Sequence, residues 1–362
     1  MRTRISSVAA LMALCGLAMA PAATALPTTS ISTVAQMAQF NQDQDRNAAL
    51  DYWRLVNVTP QIEEIADAVR STLREMHSDG EDERPIEQPA ALMPGGALGE
   101  SLANLEGFFD DLERATREPN CDFQVRYEDG YAALLPHLQH MRMLGRLLMV
   151  DARRLALRGD HEGAAERLAS TFRLARHTSG DEVLVSSLVS SAISRVAMNE
   201  AAWLLDRTGG DRAVREALRQ ALDRFPARDP FQVADALRRE RDLIASLARQ
   251  FRGPNAGEEF ADVFLQMTEG EYGEAERRIR SLDGKAFRAD VERAVDAFDL
   301  VVEAWDSDTP IADLDALGER LVAEEFGSIA LIVVPAFGRT YASDAESRAA
   351  LEALRRRVKN DG

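Results

Sequence analysis

LALRGDHEGAAERL, running from Leu155 to Leu168, decides how the chain is read: an apolar helical seam enters the turn Arg158-Gly159-Asp160-His161 and resumes beyond it. Gly159 tolerates the left-handed backbone common just past a helix end, and Asp160 offers a side-chain oxygen to the first free amides of the next helix. Upstream, Leu134, Leu138, Met141, Gly145, Leu148, Ala152 and Leu155 recur in alternating steps of four and three, which keeps them on one side of a helix. Downstream, a helix from about His161 to Thr178 turns Ala164, Ala165, Leu168, Phe172 and Ala175 toward that seam. A turn this short makes the two helices antiparallel, and the small residues let them approach closely.

A third helix, about Glu182 to Leu205, is apolar nearly all round, which predicts enclosure on several sides and makes it the expected central helix. Ser186, Ser190 and Ser194 fall four apart along one edge. They read as small residues that permit tight packing, their hydroxyls bonded one turn back, rather than as the lining of a ligand groove.

Outward from this unit the same grammar continues. Toward the N-terminus, helices are expected over 33–57, 61–77 and 100–117. They are separated by Thr59-Pro60 as cap and first position, and by an acidic stretch over 78–99 with three prolines and Gly95-Gly96, read as a linker or long surface loop. Toward the C-terminus, helices are expected over 212–225, 230–252, 258–269, 271–282, 286–306 and 310–326. Ile329 to Val334 then reads as a buried helix kinked at Pro335, and 345–358 as an amphipathic helix whose basic end, Arg355 to Arg357, suits its own dipole. Met1 to Ala25 has the form of a secretory signal: Arg2 and Arg4, an apolar core over 8–20, and a small-x-small end at Ala23-Thr24-Ala25, with cleavage after Ala20 as the alternative. The expected organisation is therefore a signal at 1–25, N-terminal helices at 26–77, the 78–99 linker, and a main helical domain at 100–358 centred on 131–206. The fold class is all-α, with antiparallel hairpins stacked into a repeat-like array, either α-solenoid-like or an irregular bundle. Gly159 to Leu168 and Gly270 to Ile279 each match half of a tetratricopeptide repeat, with no fixed period between them.

The 362 residues hold 43 Lys plus Arg against 60 Asp plus Glu, a net charge of −17, and loss of Arg2 and Arg4 with the signal makes it more negative. Such a surface repels phosphates and argues against a nucleic-acid partner. After the signal no segment has the length of a membrane span. Cys121 is then the single cysteine, so an exported chain that had disulfides available builds none internally and rests on packing.

Chemistry is concentrated, if anywhere, where Cys121-Asp122 and Glu128-Asp129 precede His137-Leu-Gln-His140. Histidines three apart share a helix face, so His137 and His140 with Cys121 and Asp122 form a candidate site for zinc or a similar ion. The plainer reading makes Cys121 a small buried residue and the histidines hydrogen-bonded helix residues; no cofactor is expected on that reading. Carboxylate pairs such as Asp110-Asp111, Glu258-Glu259 and Glu324-Glu325 read as solvated faces. The hydrolase serine elbow, the phosphate-binding Gly-Lys-Ser or Gly-Lys-Thr and the His-Glu-x-x-His zinc motif do not occur.

Leu135-Pro-His-Leu138 through Leu147-Leu148, Arg158-Gly-Asp through Arg176-His177, and Leu184-Val-Ser-Ser-Leu-Val189 together resemble the core of uncharacterised exported all-helical, tetratricopeptide-like proteins of planctomycete-type bacteria. Asn47-Ala-Ala-Leu-Asp-Tyr52-Trp53 and the stretch from Pro335 to Leu354 are similar to their flanks. The resemblance implies an all-helical fold and export; it carries no activity. The leading expectation is a periplasmic or secreted, non-enzymatic scaffold that binds a protein or peptide partner in an inter-helix groove. The alternatives are a metal-binding protein or metal-dependent hydrolase centred on His137 and His140, and an envelope-associated structural protein.

Overall fold

A computed structural model of the chain describes residues 46–77, 86–125, 135–181, 183–267, 273–307, 317, 326–329 and 337–359. The signal at 1–25, the first part of the 33–57 helix, Glu128-Asp129, nearly all of the 310–326 helix and the run 330–336 lie outside these residues. Within them the chain is helical, with no β-strand; an isolated bridge pairs Asn47 with Asn120.

The helices are α1 (Ala48–Val58), α2 (Gln61–Met76), α3 (Ala97–Ala103), α4 (Glu106–Arg117), α5 (His137–Leu157), α6 (His161–Ser179), α7 (Leu184–Arg207), α8 (Arg212–Leu222), α9 (Val233–Gln250), α10 (Ala256–Met267), α11 (Gly273–Arg280), α12 (Gly284–Asp306) and α13 (Phe337–Lys359). The turn between α5 and α6 forms as its residues dictate. Gly159 takes φ +88°, its N–H and that of Asp160 bond the carbonyls of Ala156 and Leu155, and the Asp160 carboxylate accepts from Gly163 N at 2.9 Å. Leu138, Met141, Leu148, Ala152 and, across from them, Ala164, Ala165, Leu168, Phe172 and Ala175 are buried. At Gly145 an added Cβ would sit 3.1 Å from the Ile193 side chain, so α5 and α7 touch there.

The hub is α6 rather than the expected 182–205 helix. It packs on α4, α5, α7 and α8, and past its first turn none of its side chains is exposed, whereas α7 leaves Ala192, Arg195 and Asn199 open to solvent. An apolar stripe marks a helix as enclosed, but α6 is enclosed while carrying Arg167 and Arg173, because carboxylates of α4 and α5 meet Arg167 and Glu166 of α6 itself meets Arg173. The 100–117 helix breaks at Asn104-Leu105 into α3 and α4. Of the 78–99 stretch, the described part folds onto the core: Leu92 in a 3-10 turn is fully buried, and the Glu87 carbonyl accepts from Arg153 Nη1 at 2.8 Å.

Contacts between helices distant in sequence tie the structure together. α13 lies on α7 and α8 through Leu351, Leu354 and Val358. Its Arg355 does not serve its own helix end; Nη2 donates to the carbonyls of Leu222 (2.9 Å) and Phe225 (2.8 Å), closing the end of α8. α9 pairs with α12, and the α10–α11 pair is inserted between them in sequence. The chain leaves α9 beside the start of α12, where a Cβ on Gly284 would lie 2.5 Å from the Gly253 carbonyl oxygen, and α10 and α11 cross at Gly257, whose Cβ would lie 1.9 Å from the Ile279 carbonyl oxygen.

Candidate functional site

The loop carrying Cys121 and Asp122 is tied to the start of α1. Asn47 accepts from Ala49 N (3.1 Å) as the cap of α1, accepts from Asp122 N (2.9 Å), and donates to the Asp122 carbonyl (2.8 Å). The Asp122 carboxylate accepts from Gln124 N at 2.7 Å, turning the loop so that Gln124 takes φ +53° and Phe123 points inward. Phe123 stacks on the His137 ring with centroids 4.1 Å apart.

His137, at the first turn of α5, donates from Nε2 to Asp181 Oδ2 at 2.5 Å, and the Ser186 hydroxyl donates to the same oxygen at 3.1 Å. His140 takes a different course: its ring meets Trp53 edge-on at 5.2 Å, and burial, followed by the proximity of His137, lowers its pKa. The Cys121 thiol is pushed well up by burial and then by the charges of Asp181 and Asp122, so it stays protonated at neutral pH and is no activated nucleophile. The structure thus brings Cys121 and His137 to one junction with Asp181, and directs Asp122 and His140 elsewhere. Among the described residues no three His, Cys, Asp or Glu side chains are grouped to hold a metal ion.

Two residues of this junction carry no spacing signal. His177, from the end of α6, has Nε2 against the Glu118 carbonyl (3.0 Å) and Nδ1 against the Tyr52 hydroxyl (2.8 Å). A carbonyl only accepts, so Nε2 bears the proton and Tyr52 donates to Nδ1. Burial, then Arg176, lowers His177 to a pKa of about 4, and burial raises that of Tyr52: both are neutral and both are satisfied.

Beside it run two buried charge networks. Asp151, fully buried on α5, holds Arg154 Nε at 2.5 Å and Arg167 Nε at 2.9 Å; Arg167 continues to Glu113 and to Glu106 (2.8 Å) on α4. Glu200 on α7 receives Arg153 through two bonds, 2.8 and 2.7 Å, and faces His77 Nε2 at 2.9 Å, while the Arg153 guanidinium lies 3.6 Å over the Trp203 ring. Every oxygen of these carboxylates has cationic neighbours from the same protein, so the networks join α2, α4, α5, α6 and α7 and leave little to offer a substrate.

Among the open cavities of the described residues is a groove of about 580 Å³ between α9 and α12. Ala245, Ala248, Val291 and Val295 form its small apolar floor, and Arg249, Arg252 and Arg288 stand at one end. Periodicity predicted both helices; it held no information on their pairing across two intervening helices. Compared with known protein families, curated proteins and solved structures, the chain finds no match.

Proposed function

We propose that this is an exported, non-enzymatic helical scaffold that holds a segment of a partner protein in the groove between α9 and α12. The observation that carries the reading is the groove itself, an open trough with an apolar floor of alanine and valine into which another chain's side chains can be laid. The buried ionisable groups support it from the other side. Asp151, Glu200, Arg153 and Arg167 are taken up by one another and their neighbours, the Cys121 thiol is protonated, and His177 is a neutral spacer between Tyr52 and a carbonyl. Export enters from the N-terminal signal pattern, and the partner meets the chain beyond the membrane.

The test is a photo-reactive residue at Ala248, with a second at exposed Asn199 on α7 as control, in the exporting cell. A single partner joined from Ala248 and not from Asn199, whose binding in purified form is lost on Ala248→Trp while helicity is kept, is the expected result. Equal labelling from both positions, or unimpaired binding by Ala248→Trp, overturns the reading.

A further inference from the structure

We infer that the segment held in the α9–α12 groove is acidic, with its carboxylates set against Arg249, Arg252 and Arg288; this rests on the reading of the groove as a docking surface. The two helices run antiparallel, and where they cross the far half of their contact they are joined by ion pairs: Arg238 Nη2 to Asp306 at 2.7 Å and Arg241 Nε to Asp299 at 2.7 Å. Farther along, the pattern of opposite charges fails. Arg252 follows the end of α9, its carbonyl lies against Gly284 at the start of α12, and the next turn of α12 brings Arg288 into the same groove. Cation therefore meets cation there, and no carboxylate among the described residues lies within ion-pair distance of Arg249, Arg252 or Arg288.

Local helix electrostatics account for one of the three. Arg249 is in the last turn of α9, where the negative end of the dipole favours a cation. Arg252 lies beyond that turn. Arg288 stands in the second turn of α12, past the first amides that the Asp283 carboxylate already caps, so its own helix end offers it no counter-charge. At three other places in the chain interface arginines do meet carboxylates: Arg153 with Glu200, Arg167 with Asp151 and Arg173 with Glu166. The groove is also polarised. Glu292 and Asp296 line it on later turns of α12, which sets a direction for the occupant: acidic side chains at the Arg252–Arg288 end, basic or neutral ones toward Asp296. Planar guanidinium groups take carboxylates through paired hydrogen bonds, and the floor between them accepts small apolar side chains.

The experiment uses the full exported chain and three labelled peptides of about fifteen residues on an alanine–serine background, carrying three glutamates one helical turn apart, or glutamines, or lysines, at those positions. Fluorescence anisotropy should show the glutamate peptide bound at least about tenfold tighter than the glutamine one, with the lysine peptide weakest. Arg252→Glu combined with Arg288→Glu should invert that order, while circular dichroism stays that of the parent. If glutamate and glutamine peptides bind alike and Ala248→Trp blocks both, the acidic occupant is overturned and the groove stands. If Ala248→Trp leaves glutamate-peptide binding intact, the groove itself falls. A single-stranded oligonucleotide bound as tightly as the glutamate peptide overturns the proposal in favour of a general polyanion site, and a homodimer dissolved by the double charge reversal overturns it in favour of a second copy of the chain. Binding of no peptide overturns it outright.

Discussion

His177 and His77 are both histidines at helix ends in partly or wholly dry surroundings, yet acid acts on them in opposite directions. His177 is held neutral by burial, with a folded pKa of about 4 against an ordinary 6.5. Its protonation is easier in the unfolded chain, so the stability it represents is complete above pH 6.5 and drains as pH falls through 4, by about 3 kcal/mol. His77 is pulled down by burial and lifted further by the Glu200 carboxylate, ending above its ordinary value. Its contribution is complete below pH 6.5 and is lost as pH rises past its folded pKa. Denaturation midpoints measured at pH 7 and pH 4.5 should fall less in His177→Gln than in the parent, and the midpoint of His77→Gln should converge on the parent's as pH rises from 6 to 8.5. Glu240 offers a third case. Buried, with Leu184 N at 3.4 Å as its one donor among the described residues, it is pushed up to about 7. Its stability contribution is present below the ordinary carboxylate range and is lost as pH rises through 7. Glu240→Gln keeps an acceptor for the free end of α7 without the charge, and should stabilise the protein by roughly 2–3 kcal/mol at pH 8 and hardly at all at pH 4.5. Urea titration at the two pH values decides it.

At the level of helices, close approach is set by glycines that differ in what stands opposite. Gly145 faces the flexible end of Ile193, Gly163 faces the Asp160 carboxylate that caps α6 at 2.5 Å from an ideal Cβ, and Gly257 faces a backbone carbonyl. A side chain can turn away; a carbonyl inside a helix pair cannot. Gly257→Ala should therefore cost about 3 kcal/mol, Gly163→Ala about 1 kcal/mol through the displaced cap, and Gly145→Ala less than Gly257→Ala. Thermal unfolding of the three variants gives the order, and a Gly257→Ala protein as stable as the parent would refute the crossing of α10 and α11. This is also the scale at which legibility ends. The seam from Leu138 to Ala152 and the Gly159-Asp160 turn are readable because periodicity and turn chemistry are local. Arg167 in α6 is not: periodicity assigns charges to water, and what meets it in the interior is Glu113, some fifty positions away. For the candidate site the same holds. His137 and Cys121 do meet, but through Asp181, which has no motif spacing to either, and the groove depends on a pairing of α9 with α12 that no local pattern encodes.

Across the whole molecule, the placement of α13 sets the kind of cooperativity to expect. In a solenoid each repeat touches its sequence neighbours, and removing the last one subtracts its share of stability while the remainder stays folded. Here the C-terminal helix returns to the centre. Leu351, Leu354 and Val358 are buried against α7 and α8, Ser347 meets the Ser191 hydroxyl at 2.9 Å, Arg357 pairs with Asp206 at 2.6 Å, and Arg355 satisfies two carbonyls at the end of α8. Taking α13 away leaves those carbonyls without their donor and exposes an apolar strip of the hub's own neighbours, α7 and α8, so the loss spreads into α6 and then α5. A chain ending before Phe337 should bind a hydrophobic dye and lose its sharp thermal transition while keeping much of its helical circular dichroism, the behaviour of a collapsed but unpacked core. The single change Arg355→Ala should cost about 2–4 kcal/mol, because it strips two buried carbonyls of a charged donor. A truncated protein that still melts cooperatively, only at a lower temperature, would instead make the molecule an array of separable units, and the bundle described by these contacts would be wrong.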